Sequence, residues 1–174
     1  MSMFRYCPAC GQPLPAAAQA PARVVQQDCP ACGAVHYRNA KPTAGAILVR
    51  DGKVLLGRRG VEPFLGWWDI PGGFLEPWEH PAEGVLRELL EETGLAIDVG
   101  ELLDVSVDTY GEQGDYTLNF YYLATAPTGE PYAADDVTEL AWFTPDALPD
   151  QVAFAAGRAV LARWRERERV GRKS

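Results

Sequence analysis

The sequence predicts a mixed α/β (α+β) fold behind a small cysteine-bearing module. Three observations carry this reading. Strand-like runs at Thr43–Arg50, Lys53–Arg58, Ile97–Tyr110, Tyr116–Thr125 and Leu140–Thr144 are separated by stretches holding Gly, Pro and Asp. Two other segments, one ending at Gly94 and one at Gln151–Arg169, space their apolar residues as helices do. Four cysteines form two copies of one short pattern near the N-terminus. The expected organisation is a zinc ribbon over residues 1–40, a main domain over 41–150, and an amphipathic helix over 151–174 packed on that domain.

The two copies are Cys7-Pro8-Ala9-Cys10-Gly11 and Cys29-Pro30-Ala31-Cys32-Gly33. A two-residue spacer lets both sulfurs of a pair face one ion, and the glycine lets the backbone turn beneath them. The pairs stand eighteen residues apart, within the range of zinc sites. Cys7, Cys10, Cys29 and Cys32 are therefore expected to hold Zn²⁺ in a closed, structural, tetrahedral site. The competing readings are two disulfides, which no secretion signal supports, and a redox pair. His36, four residues after Cys32, is weighed as a replacement ligand and assigned to the following strand. Gln12–Ala22 reads as a surface loop, and Arg23–Gln27 with Ala34–Tyr37 as a hairpin. So small a module cannot bury enough surface alone, so zinc is expected to supply much of its folding energy. The ribbon is also a candidate to border an active site or a homodimer interface.

In the main domain, Arg38–Pro42 is a polar joint and Asp51-Gly52 a hairpin turn. Arg58 and Arg59 end the second strand, either as solvated charge or as a clamp on a substrate phosphate. Trp68 reads as core, while Trp67, Phe64 and Tyr37 are candidates to stack on a planar ligand. His80-Pro81-Ala82-Glu83 suits a helix start. Ala82, Val85, Leu86, Leu89 and Leu90 make its packing stripe, with the glutamates off the stripe, and Gly94 ends it. Gly111–Asp115 and Pro127–Asp136 read as loops, and Pro145–Leu148 as a helical turn. The last helix carries Val152, Phe154, Val160, Leu161 and Trp164. Its arginines, interleaved with Glu166 and Glu168, read as a solvated face.

Glu88, Glu91 and Glu92 fall three and four apart and share a helix face. Like charges so close repel, and a hard divalent cation with oxygen ligands removes that cost. Lys plus Arg is 16 against 24 Asp plus Glu, a net charge of −8. That balance argues against nucleic-acid binding, which needs a cationic surface. No apolar run approaches a membrane span, and no signal-peptide core is evident; the expected location is cytoplasmic.

Gly73, Glu79, Arg87, Glu88, Leu89, Glu91, Glu92, Gly94 and Leu95 match, without departure, the Nudix box G-x5-E-x7-R-E-U-x-E-E-x-G-U, with U a bulky aliphatic. The lead-in Trp68-Asp69-Ile70-Pro71-Gly72-Gly73 resembles W-x-x-P-G-G of the same family. The resemblance implies an α/β/α sandwich with a mixed sheet, and Mg²⁺- or Mn²⁺-dependent hydrolysis of a nucleoside diphosphate linked to a group X. It implies metal ligands at Glu88, Glu91 and Glu92, with Arg87 orienting them and Glu79 acting through water or from outside the ligand set. Glu139 is chosen as an added acidic ligand, ahead of Asp135, Asp136, Glu112 and Asp115, and Glu88 as general base. Gly73, Arg58, Arg59, Trp67 and Tyr37 are the candidate substrate contacts.

The ribbon before the box resembles NADH pyrophosphatases and plant-type ADP-ribose/FAD pyrophosphatases. The S-Q-P-W-P-F-P-x-S marker of the NADH group is absent; Asp104–Gly111 reads DVSVDTYG instead. Tyr37–Pro42 is closer to the Y-x-N-P-K segment of the other group, with Ala40 in place of proline. ADP-ribose or FAD is thus the expected substrate, with NADH or a nucleoside triphosphate as alternative. A rival of another class is a domain that senses a nucleotide without cleaving it, its ribbon contacting a partner.

Overall fold

The computed structural model describes residues 4–15, 26–111, 115–126 and 128–171. Two compact units meet at the Ala40–Lys41 bond. In the first, β1 (Gln26–Asp28) and β2 (Val35–Tyr37) form an antiparallel hairpin with Gln27 opposite His36. The two knuckles repeat each other. Gly11 N donates to Cys7 O at 2.8 Å and Gly33 N to Cys29 O at 2.9 Å, both glycines at φ 73°. Buried Cys7, Leu14 and Cys29 make a minimal core. Residues 16–25, which include most of the expected loop and the start of the expected hairpin, lie outside the described residues.

The second unit is built on a seven-stranded mixed sheet. Its strands are β3 (Lys41–Arg50), β4 (Lys53–Arg59), β5 (Trp68–Asp69), β6 (Gly72–Phe74), β7 (Asp98–Thr109), β8 (Tyr116–Thr125) and β9 (Val137–Phe143). The order is β5-β4-β3-β8-β7, with β6 also paired to β3 and β9 to β4. Only the β3–β8 pairing is parallel among those described. The helices are α1 (Pro81–Thr93) and α2 (Ala155–Gly171).

Strand alternation sorts the apolar residues into two cores, because successive side chains point to opposite faces. Ala44, Ala46, Leu48, Leu55, Tyr122 and Ala124 pack with Val85 and Leu89 of α1. Ile47, Val54, Leu56 and Tyr121 pack with Val160, Leu161 and Trp164 of α2. One helix therefore covers each face, which is the α/β/α sandwich.

Helix α1 starts as the sequence implies. His80 is the N-cap, and its side chain accepts from Ala82 N while Glu83 reaches back to His80 N at 3.1 Å. Its buried face differs from the expected stripe. Leu86 and Leu90 are exposed at 43% and 55%, whereas Glu88 and Glu92 are buried. The helix is rotated so that its carboxylates, rather than those two leucines, face β6. Helix α2 starts later than Gln151. Residues 151–153 run beside Trp68, with Trp68 N donating to Gln151 O at 3.0 Å and Ala153 N to Trp68 O at 2.9 Å. Asp108 Oδ2 then accepts from Ala156 N at 2.8 Å and caps the first turn. The expected helical turn at Pro145–Leu148 is a simple turn, closed by Ala147 N to Thr144 O at 3.0 Å. Three arginines of α2 end on carboxylates, Arg163 on Asp104, Arg167 on Glu101 and Arg169 on Asp146, each at 2.6 Å.

Leu89 is fully buried between α1 and the sheet. Leu89→Ala is expected to lower unfolding free energy by about 2–5 kcal/mol through lost burial and the cavity left behind, as measured by urea denaturation. A loss under about 1 kcal/mol would contradict this packing.

Candidate active site

Arg87 organises the carboxylates of the second unit. A guanidinium has five N–H groups, and this one has five hydrogen bonds. Nε and Nη2 grip Glu79 as a fork, at 2.8 Å each. Nη1 donates to Glu88 at 2.7 Å and to Glu91 at 3.1 Å, and Nη2 also to Phe74 O at 3.1 Å. Arg87 is thereby held well above the usual arginine range, the Glu79 bonds contributing most, and Glu79 is held below the usual carboxylate range by the same bonds.

The glycines of β6 let the backbone meet these acids. A Cβ on Gly73 would sit 2.6 Å from the Glu88 carboxylate. Gly72 adopts φ 146°, and a Cβ there would overlap the Ala44 carbonyl of β3. Gly72 N donates to Glu92 Oε2 at 2.9 Å. Burial raises the proton affinity of Glu88 despite Arg87. Glu92 is pushed up to about 9, by burial first and then by the nearby charges of Asp136, Glu88 and Asp69, against the pull of the Gly72 amide. Glu91 is half exposed.

Beside β6 lies a cavity of about 110 Å³. Phe74, Tyr110 and Phe154 form an aromatic wall, with ring centroids 5.3 Å apart for Phe74–Tyr110 and 5.6 Å for stacked Tyr110–Phe154. Asn119 lines it too, its amide pinned by Thr43 at 2.7 Å and by Ser106 O at 3.2 Å. A smaller neighbouring cavity includes Glu92 in its wall. Arg59, Asp69, Gly72 and Asp136 line both cavities, so the aromatic pocket and the carboxylates share a wall.

The expected substrate contacts separate. Arg59 points inward. It donates to Asp69 at 3.0 Å and Pro63 O at 2.8 Å and lies 5.1 Å from the Phe154 ring centroid. Arg58 pairs across strands with Glu139 at 2.9 Å and lies over Trp68. Neither Arg58 nor Glu139 is among the described residues lining these two cavities; Asp136 is. Gly73 lines the larger cavity, while Trp67 packs on Phe64, which packs in turn on Phe154. Trp68 is buried core. Tyr37 is exposed on β2 of the first unit. Glu112 lies outside the described residues. Sequence reasoning passed over Phe74, Tyr110 and Asn119, and placed Phe154 on a helix. Strand alternation could have put Asn119 and Tyr121 on the same face, but not beside this glycine turn.

In the first unit, the sulfurs of Cys7, Cys10, Cys29 and Cys32 all lie within 4.8 Å of one another. Cys7–Cys32 is 3.8 Å and Cys10–Cys29 3.7 Å. Tetrahedral vertices around zinc with bonds of ~2.3 Å are ~3.8 Å apart, whereas a disulfide needs ~2.05 Å. The cysteines are free thiols, which removes the disulfide alternative. The Cys29 thiol is lowered to about 7, chiefly by the Cys32 backbone N–H.

A phosphate-ester enzyme with a carboxylate helix is one expectation of this geometry, and comparison with known proteins agrees. The NUDIX domain model matches residues 40–164, most of the chain, and the chain belongs to that family. The ADP-ribose pyrophosphatase of Methanocaldococcus jannaschii is 32% identical over 131 residues, covering 74% of this chain and 77% of that protein. The NAD-capped RNA hydrolase NudC of Stutzerimonas stutzeri is 30% identical over 150 residues; the match covers 86% of this chain but 51% of that protein. A NUDIX hydrolase structure from Nitrosomonas europaea superposes with a TM-score of 0.80 at 27% identity, over 97% of this chain and 94% of that one. The protein is accordingly a Nudix hydrolase.

Asp69 is pushed up to about 6 by burial, against the pull of Arg59 and the Ile70 amide. Its folded form therefore binds a proton more tightly than the unfolded chain, with an ordinary value near 3.8. The stability it contributes is full at the acid end and is lost as pH rises through about 6. The difference in unfolding free energy, wild type minus Asp69→Asn, is expected to fall between pH 4 and pH 7 in metal-free buffer. A flat or rising difference would contradict the assignment.

Proposed function

We propose that this protein hydrolyses the pyrophosphate bond of a nucleoside diphosphate linked to a group X, with ADP-ribose or FAD as substrate and Mg²⁺ or Mn²⁺ as the catalytic cation. The observation that carries the reading is the burial of Glu88 and Glu92 against Gly72 and Gly73, beside an aromatic-walled cavity. Burying like charges together is costly unless a cation compensates. The donor set is hard oxygen, which suits Mg²⁺ or Mn²⁺. Glu88, Glu91 and Glu92 would hold the cation. Glu91 sits on Arg87 at 3.1 Å and, being half exposed, has room to turn. Asp136 supports the role of added carboxylate better than Glu139, because it lines both cavities and Glu139 is paired with Arg58.

Held by Glu88, Glu91 and Glu92, such a cation would supply polarisation of the phosphoryl oxygens and offset charge on the departing phosphate. Arg87 keeps Glu88 and Glu79 in place. Arg59, with donors left after its bonds to Asp69 and Pro63, reaches a substrate phosphate at the shared wall. Glu88 would accept the proton of the attacking water. Phe74, Tyr110 and Phe154 offer faces to a planar heterocycle. ADP-ribose is further supported by the Methanocaldococcus jannaschii relative, named for that activity. Zn²⁺ in the four-cysteine site has a structural role, since four thiolates leave no open position.

Two measurements test this. A panel of ADP-ribose, FAD, NADH and nucleoside triphosphates with Mg²⁺ or Mn²⁺ is expected to yield cleavage at the pyrophosphate of ADP-ribose or FAD. Glu92→Gln is expected to lose on the order of 10³-fold in kcat, several kcal/mol of charge stabilisation. Full turnover of Glu92→Gln would overturn the ligand assignment, and binding without any product would favour the nucleotide sensor. Separately, metal analysis is expected to find one zinc per chain, and a strong chelator to abolish the structure of the first unit, read by loss of its amide resonances. A ribbon spectrum unchanged by zinc removal would refute the structural role.

A further inference from the structure

His36 approaches the cysteine cluster in a fixed pose. Its Nε2 lies 3.2 Å from Cys7 Sγ. The imidazole is braced by the Phe4 ring, itself held by the strand opposite. The cross-strand partner of His36 is Gln27. The Gln27 amide clasps the Phe4 backbone, accepting from Phe4 N at 2.9 Å and donating to Phe4 O at 3.1 Å. The Phe4 ring in turn meets the imidazole edge-on, with centroids 5.7 Å apart and planes at 76°. The N-terminal arm, β1 and β2 thus combine to aim one ring nitrogen at one sulfur.

Four thiolates around Zn²⁺ carry more negative charge than the ion cancels, so the sulfurs need hydrogen-bond donors. The backbone amides of Cys32 and Ala31 supply Cys29, and that of Gln12 supplies Cys10. Among the described residues, Cys7 meets a side-chain nitrogen, His36 Nε2. We propose that His36 Nε2–H donates a hydrogen bond to the zinc-bound Cys7 thiolate and is the positioning residue that keeps Cys7 on the metal. It is not a fifth ligand, because the four sulfurs already lie within 4.8 Å of one another, with the Cys7–Cys32 and Cys10–Cys29 pairs at the tetrahedral edge length. The bond draws electron density from Cys7 Sγ and makes that sulfur a poorer nucleophile towards electrophiles. This inference concerns the ribbon alone and stands apart from the substrate proposed above.

The test uses the full-length zinc-loaded protein and N-ethylmaleimide. Alkylation forms an S–C bond, breaks the Zn–S bond, and the adduct takes its proton from water; freed zinc is followed with a chromophoric chelator. His36→Phe removes the donor while keeping a ring against Phe4. It is expected to release zinc roughly tenfold faster, with Cys7 modified earlier than in the wild type by mass spectrometry. His36→Gln, which retains an N–H donor, is expected to restore most of the protection. Equal release rates for wild type and His36→Phe, or no change in the order of Cys7 modification, overturn the proposal. A measurement on the wild type covers the case in which the phenylalanine variant fails to fold. With ¹¹³Cd in place of zinc, a small scalar coupling from the metal to the His36 Hε2 proton through Cys7 Sγ is expected. An unprotonated Nε2, or a direct cadmium–nitrogen bond replacing a sulfur, overturns it.

Discussion

One guanidinium allows three carboxylates to converge. Glu79, Glu88 and Glu91 each end on Arg87, and Glu88 is nearly fully buried. Buried carboxylates without a counter-ion would take up protons or force the segment apart. A planar fork with five donors can serve three acids and a carbonyl at once; an ammonium could not. Everything else in the site depends on this. With Glu88 secured from the helix side, β6 can lie against it, and the close approach of Gly73 becomes possible.

The second constraint is steric. Gly72 must pass over β3 and also give its amide to Glu92. That single strand therefore links the central sheet to the acidic helix and forms a wall of the larger cavity. The rotation of α1 follows. The face that carries Glu88 and Glu92 turns inward, and Leu86 and Leu90 are left at the surface. The apolar anchoring of the helix falls to Val85 and Leu89, both fully buried.

The two units reach stability by different routes. The larger has a core on each face of its sheet, each closed by one helix. The smaller has a buried cluster of two cysteines and one leucine. Its order rests on repeated knuckle hydrogen bonds and on the sulfur arrangement, which suits a metal as cross-link. His36 and the Phe4–Gln27 clasp add side-chain organisation around that cluster.

Local chemistry made much of this legible from sequence. Cysteine spacing, the Asp51-Gly52 turn, the His80 start and Gly94 end of α1, and the glutamate spacing all act within a few residues. The main strands follow from strand-like runs bounded by turn residues, while the sandwich was legible only through the family resemblance. What only the tertiary structure decided involves residues far apart in the chain. Arg58 and Arg59 are neighbours, yet strand alternation sends one to Glu139 and the other to Asp69 and the cavity. The aromatic wall draws Phe74, Tyr110 and Phe154 from three separate elements, and no local pattern marks them as a group. Asp136 stands near Glu92 rather than Glu139 because a loop, not a strand register, sets its place. Sequence periodicity determines which face of an element a residue occupies; which faces meet is determined by packing of the whole sheet.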